Sequence, residues 1–247
     1  MDSSNPTAGH KMLGQRPRLL DLFCCAGGAA MGYHRAGFDV VGVDIAPQPN
    51  YPFEFVQGDA LEVLRSLTRG VAPLAFFDAI HASPPCQHYS DLARRNGNAD
   101  DWPDLVDATR DALQATGLPW VIENVEGAAL INPVWLCGTE FGLTAVDVDD
   151  TPLELWRHRG FESNIPLEGA GGCQHYKYSK VVAGVYAGGN RKKDRARGTG
   201  YVPNKAVQSK LMGITWMSER ELHQAIPPVY AEHVGKQLIN AMALNPV

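Results

Sequence analysis

Arg18-Leu19-Leu20-Asp21-Leu22-Phe23, followed by Ala26-Gly27-Gly28-Ala29-Ala30 and by helical spacing through Met31 and Tyr33 to Gly37, is the stretch that decides the fold. A short apolar run that stops at small residues before a helical period reads as strand, tight turn, helix. Working outward, Asp39-Val40-Val41-Gly42-Val43-Asp44 reads as a second strand, and Glu54-Phe55-Val56-Gln57-Gly58-Asp59 as a third, each closing on an acid. The alternation continues with a helix over 60–67 and a strand over 76–82, which predicts an α/β fold with a doubly wound, mostly parallel sheet. Ligands in such sheets bind beyond the carboxyl ends of the strands, where Asp21, Asp44, Asp59 and Cys86 all fall. The glycine turn lacks the G-x-G-x-x-G spacing, because Cys25 stands where glycine is expected, and this disfavours a plain dinucleotide dehydrogenase.

The 247 residues suffice for one large domain, or for one domain with a small appended lobe. A hydrophobic content of 45%, a charged content of 20% and a net charge of -5 describe an ordinary soluble globular protein. The sequence pI near 5.9 excludes a generally basic nucleic-acid coat, so any such contact needs a local basic patch. Residues 1–16 read as a flexible tail without a signal peptide or membrane helix, and a reducing cytoplasm is the expected setting.

Residues 17–163 are expected to form the catalytic and cofactor-binding domain, with a structural outer helix over 100–116 and a buried strand at Trp120-Val121-Ile122-Glu123-Asn124-Val125. Leu155-Trp156-Arg157-His158-Arg159-Gly160-Phe161-Glu162-Ser163 reads as one further strand with Arg157 and Arg159 on the same face. Composition then shifts to Gly, Lys and Arg over 164–207, a small irregular lobe holding the basic run Arg191-Lys192-Lys193-Asp194-Arg195-Ala196-Arg197. Residues 208–247 return to the main domain and end in a helix led by prolines.

Within this frame Ser83-Pro84-Pro85-Cys86-Gln87-His88-Tyr89-Ser90 presents a thiol on a stiff hinge just after a strand. Cys24, Cys25 and Cys137 read as packing residues. Cys173-Gln174-His175 offers two donors without a second pair, so no metal is expected.

In this order the motifs resemble those of the cytosine-C5 DNA methyltransferases that use S-adenosylmethionine. Asp21-Leu22-Phe23 with Ala26-Gly27-Gly28 is similar to the first family motif, Asp44 to the acid of the second, and Gly58-Asp59-Ala60 to the third. Pro85-Cys86-Gln87 resembles the catalytic motif, Glu123-Asn124-Val125 the one that grips the base, and Arg157-x-Arg159 the paired arginines. Leu211-Met212-Gly213-Ile214 and residues 225–235 resemble the closing motifs. The sequence departs from the family at Cys25, at His88 where proline is common, at Leu155 in place of glutamine, and at His223-Gln224 in place of Gly-Asn.

The resemblance implies a class I methyltransferase sheet with a small target recognition lobe, and the chemistry fits the residues. Cytosine C5 is a poor nucleophile, so a thiolate must first add at C6, with charge on N3 and O2 stabilised by an acid and a cation. Cys86, Glu123 and Arg159 take those catalytic roles. Asp21, Phe23, Ala26, Gly27, Gly28, Asp44, Ile45, Asp59, Ala60 and Pro84 are implied to bind S-adenosylmethionine, with Asp44 on the ribose and Asp59 on the adenine amino group. Gln87, His88, Ser90, Arg157, Lys177, Lys180, Arg191, Lys192, Lys193, Arg195 and Arg197 are implied to contact nucleic acid. The implied partner is double-stranded DNA with a flipped-out target cytosine and a short recognition sequence, bound by a cytoplasmic monomer in a bacterial cell or phage-infected host. The alternatives are an RNA (tRNA) cytosine-C5 methyltransferase and a catalytically inactive DNA-binding relative.

Overall fold

Leucines in adjacent positions of the opening run are buried on opposite sides, which is why the run becomes the central strand β1 (Arg18–Leu22). A computed structural model describes residues 15–70, 76–86, 89, 104–187 and 201–244. On one side, Leu19 joins Val40, Ala79, Val121 and Phe161 under α1 (Gly28–Ala36) and the C-terminal helix α6 (Pro228–Leu244). On the other, Leu20 and Leu22 join Val43, Ile80 and Ile122 under α2 (Ala60–Thr68) and α3 (Val106–Gln114). Strands covered on both faces need continuous apolar runs rather than alternation, as parallel sheets require.

The remaining main-sheet strands are β2 (Asp39–Asp44), β3 (Glu54–Gln57), β4 (Ala79–Ala82), β5 (Trp120–Asn124), β6 (Val134–Leu136) and β9 (Arg159–Ser163). Their order is β3-β2-β1-β4-β5-β9-β6. The first five run parallel, and β9 pairs antiparallel with both β5 and β6. The order reverses between β1 and β4, so the carboxyl ends of those two strands flank a crevice.

Two glycines set how closely the layers approach. Gly27 caps α1 at φ 80°, a left-handed turn that a side chain would strain. A Cβ on Gly32 would lie 2.1 Å from the Pro228 carbonyl oxygen, so α1 and α6 touch backbone to backbone. Pro228 opens α6, where its missing N–H costs no helical hydrogen bond.

The expected continuous strand over 155–163 is corrected. It splits into β8 (Pro152–Leu155) and β9, and the two halves belong to different sheets. β8 pairs with β7 (Thr144–Val146) and β10 (Val182–Ala183) in a three-stranded sheet covered by α4 (Lys205–Met212) and α5 (Glu219–Gln224). Residues 156–158 make the crossing, and Arg157 turns it at φ 37°. The second sheet therefore draws β7 and β8 from before residue 164 and β10 from after it.

The outer helix is also less solvated than its acids suggest. Arg110 of α3 is 93% shielded and forms a fork with Glu162 of β9, Nε to Oε1 at 2.5 Å and Nη2 to Oε2 at 2.9 Å. The backbone N–H of Ile131 also donates to Glu162, at 2.8 Å, so the buried carboxylate is satisfied from two directions.

Candidate active site

The carboxyl ends of β1, β4 and β5 and the start of β9 open into one cleft. Each strand delivers a polar group there: β1 gives Asp21, β4 leads through Ser83 and Pro84 to Cys86, β5 ends in Glu123 and Asn124, and β9 begins with Arg159. Asn124 fixes the hinge, because its amide donates to the Pro84 carbonyl at 3.0 Å while its side-chain oxygen accepts from Val125 N–H at 2.9 Å. The thiol of Cys86 is thus carried by backbone tied to a central strand.

Arg159 Nε stands 3.0 Å from Glu123 Oε1, and both side chains are largely buried. The arginine's N–H is not aimed along that line, so Oε1 is held by charge proximity and not by a well-formed hydrogen bond. Arg159 Nη1 instead donates to the His158 carbonyl at 2.7 Å. Burial raises the Glu123 carboxyl above its usual range, against the opposing pull of Arg159, a hydrogen bond from Ser83, and Arg157. Burial also raises the Cys86 thiol; Arg159 lowers it, Glu123 raises it further, and Arg157 lowers it. Protonation of Glu123 would remove the competing negative charge and leave Arg159 to stabilise a Cys86 thiolate.

Behind Glu123 runs a buried chain that sequence reading had not assigned. Tyr33 Oη meets His81 Nδ1 at 2.9 Å, and His81 Nε2 meets Ser83 Oγ at 2.9 Å. Ser83 then bonds the Glu123 carboxylate. Burial pushes His81 down to about 3, so its ring is neutral at physiological pH. A histidine inside the apolar run Ala79-Ile80-His81-Ala82 was the available signal.

The glycine turn forms the opposite wall. Phe23 and Cys25 both adopt positive φ, 57° and 45°, so Cys25 holds the left-handed backbone for which glycine was expected. Its N–H donates to Asp44 Oδ2 at 3.0 Å, and Ala46 N–H donates to Asp44 Oδ1 at 2.9 Å. Cys25 lines the cleft, in contrast to the packing role expected for it, and Cys24, which packs into the core, also reaches the cleft wall. Trp216 Nε1 donates to the Ala26 carbonyl at 2.9 Å, bringing Met217 and Gln224 to the rim. Gln224 had been singled out by its departure from the family; Met217 carried no motif signal.

Of the expected cofactor residues, Asp21, Phe23, Ala26, Gly28 and Pro84 line the cleft, while Gly27 shapes the turn. Asp44 joins through Cys25, and Ile45 beside it is 71% exposed. Asp59 and Ala60 lie past β3, where Asp59 Oδ1 caps α2 by accepting from Glu62 N–H at 2.9 Å. Asp21 Oδ1 is buried without a hydrogen-bond partner among the described residues, and burial pushes the carboxyl up to about 8. An acid orphaned at the floor of a strand-end cleft fits a ligand bearing ammonium and sulfonium charge, as S-adenosylmethionine does.

Arg157, expected to contact nucleic acid, is engaged largely within the protein. Its guanidinium donates to the carbonyls of Val185 (2.7 Å), Ala225 (2.7 Å) and His223 (2.9 Å), which ties the sheet crossing to α5 and engages four of its five N–H groups. Lys177 and Lys180 stand on the surface, over the rings of Tyr178 at 5.0 Å and Tyr176 at 5.9 Å. Gln87, His88, Ser90, Arg191, Lys192, Lys193, Arg195 and Arg197 lie outside the described residues. The expectation of no metal meets a different arrangement, since Cys173 and His175 converge with Cys137 and His158.

The fold has known counterparts. A prophage-encoded protein (E. coli) assigned as a DNA modification methyltransferase aligns over 92% of this chain and 99% of its own, with a TM-score of 0.52 at 16% identity. The Entamoeba histolytica methyltransferase EhMeth aligns over 92% and 99%, with a TM-score of 0.53 at 12% identity. The S. pombe Dnmt2 methyltransferase aligns over 94% and 100%, with a TM-score of 0.51 at 13% identity. Identities this low establish a shared fold. Among curated proteins nothing matches the chain. Residues 17–132, which hold the glycine turn, the strand-end acids, Cys86 and Glu123, match the family model of the C-5 cytosine-specific DNA methylases.

Proposed function

We propose that the chain transfers a methyl group from S-adenosylmethionine to C5 of a flipped-out cytosine in DNA, through a covalent adduct between Cys86 and C6. The observation that carries this reading is one cleft holding a thiol, a buried carboxyl with a raised pKa and a guanidinium 3.0 Å from it. Bound against Asp21, the glycine turn and Asp44, S-adenosylmethionine would supply an electrophilic methyl group.

The chain's own residues do the rest. The Cys86 thiolate adds to C6, and the electron pair of the C5–C6 bond becomes available at C5. Glu123, whose pKa burial raises, donates in its protonated form to N3, and Arg159 stabilises charge developing at O2. The Tyr33–His81–Ser83 chain holds Glu123 in place from behind. Departure of the C5 proton then lets the C6–S bond break and returns the thiolate.

Reaching C5 requires the base to leave the stack, at about a few kcal/mol. Lys177 and Lys180, set among the exposed rings of Tyr176 and Tyr178, support a surface for phosphates and unstacked bases. Bisulfite sequencing of DNA from cells expressing the chain should show cytosines protected in one short sequence context. Protection absent from DNA, with methyl groups entering tRNA in a parallel incubation, would reassign the substrate to RNA.

A further inference from the structure

We propose that Cys137, His158, Cys173 and His175 form a tetrahedral zinc site that clamps three separate segments of the chain. The four donor atoms all lie within 4.8 Å of one another. Cys137 Sγ is 3.6 Å from His175 Nε2, His158 Nε2 is 3.2 Å from Cys173 Sγ, and the two Nε2 atoms are 3.2 Å apart. Zinc binds nitrogen at about 2.0–2.1 Å and sulfur at about 2.3 Å, so the edges of a tetrahedral S₂N₂ site span about 3.3 to 3.8 Å. These three separations fall within or just below that range.

The donors arrive from three separate segments. Cys137 precedes the 3-10 turn Gly138–Phe141, His158 ends the crossing between the two sheets, and Cys173 and His175 sit on the loop after β9. That loop is fixed before any metal binds. Glu140 Oε2 accepts from the N–H groups of Ala170 (3.1 Å) and Gly172 (3.0 Å), and Thr139 Oγ1 accepts from Gln174 N–H at 2.9 Å. On the far side Glu154 accepts from Tyr176, Tyr178 and Ser179 N–H groups and from Trp156 Nε1. The Trp156 ring stacks on His175 at 3.8 Å and 5°, which holds the imidazole in its plane.

Two thiolates and two neutral imidazoles around Zn²⁺ leave no net charge, and binding releases the two thiol protons to solvent. Four protein ligands leave no open position, which makes this a structural site and not a second catalytic one. Mixed sulfur and nitrogen donors in this geometry select zinc over the oxygen-seeking cations.

The test is the metal content of the whole chain, purified without chelators. One zinc per chain is expected, and replacement with cobalt should give the intense visible bands of a tetrahedral thiolate site. Cys173→Ser and His175→Ala change exposed residues, so these variants should fold and yet bind zinc at least about 100-fold more weakly, with the cobalt bands lost. Substoichiometric zinc with no tetrahedral cobalt spectrum would overturn the proposal. So would metal held as tightly by both variants as by the parent, or a Cys137–Cys173 disulfide in place of bound metal.

Discussion

The cleft and the Cys/His cluster both gather ionisable side chains, and they do so by opposite means. In the cleft, the carboxyl ends of three parallel strands and the start of antiparallel β9 each deliver polar groups, so the crevice follows from sheet order. The Cys86 thiol there lines open space beside a charge pair. In the cluster, three loops converge and every donor atom faces another donor. Open space beside a polarised thiol suits chemistry, whereas mutual saturation suits a clamp. The two regions meet at one peptide, because His158 belongs to the cluster and Arg159 to the cleft.

The widest separation between them should come from their cysteines. Cys86→Ser should lower methyl transfer by about 10⁴-fold or more, as loss of a covalent nucleophile does, while leaving zinc content unchanged. Glu123→Gln follows, with a loss of about 10²- to 10⁴-fold in single-turnover rate, the range of a general acid. Cys173→Ser should act in the reverse sense. It should shed zinc and lower the melting temperature, and any fall in activity should track the displacement of Arg159.

A pH titration sharpens the contrast from the cleft side. Asp21 is raised to about 8 in the folded ligand-free chain and titrates near 3.9 when unfolded, so the folded state holds the extra proton between those values. Its contribution to stability is therefore full below about pH 4 and is lost as pH rises through about 8. His81 is pushed down to about 3, which makes it neutral in both states above about pH 6.5. Denaturant unfolding between about pH 6.5 and 8 should show stability falling as pH rises, and Asp21→Asn should flatten that slope. The smallest effect belongs to the outer surface. Replacing Lys177 and Lys180 with Ala should weaken DNA binding with little dependence on sequence and reduce the salt slope by about 2.

What the sequence revealed and what it concealed follow the same division. The apolar run 18–23 and the acids closing each strand are local signals, and a parallel sheet converts them directly into a rim of Asp21, Asp44 and Cys86. The cluster had no such signal. Twenty residues separate Cys137 from His158 and fourteen separate His158 from Cys173, so no short metal motif marks them. Arg157 misled for a related reason. Periodicity placed it on a strand face beside Arg159, but the chain changes sheets there, and only the tertiary arrangement supplies the carbonyls of Val185, Ala225 and His223 that absorb its charge. Arg110 likewise read as one polar residue of an outer helix until Glu162 of β9 was placed beneath it.

The most direct measurement of the central claim uses DNA in which 5-fluorocytosine replaces the target cytosine. Fluorine cannot leave C5 as a proton, so with S-adenosylmethionine present the complex should stop as a covalent adduct, stable to denaturing electrophoresis and mapped by mass spectrometry to Cys86. Cys86→Ser protein should form none. An adduct of undiminished yield in that variant, or one mapped to Cys25 on the opposite wall, would contradict the account.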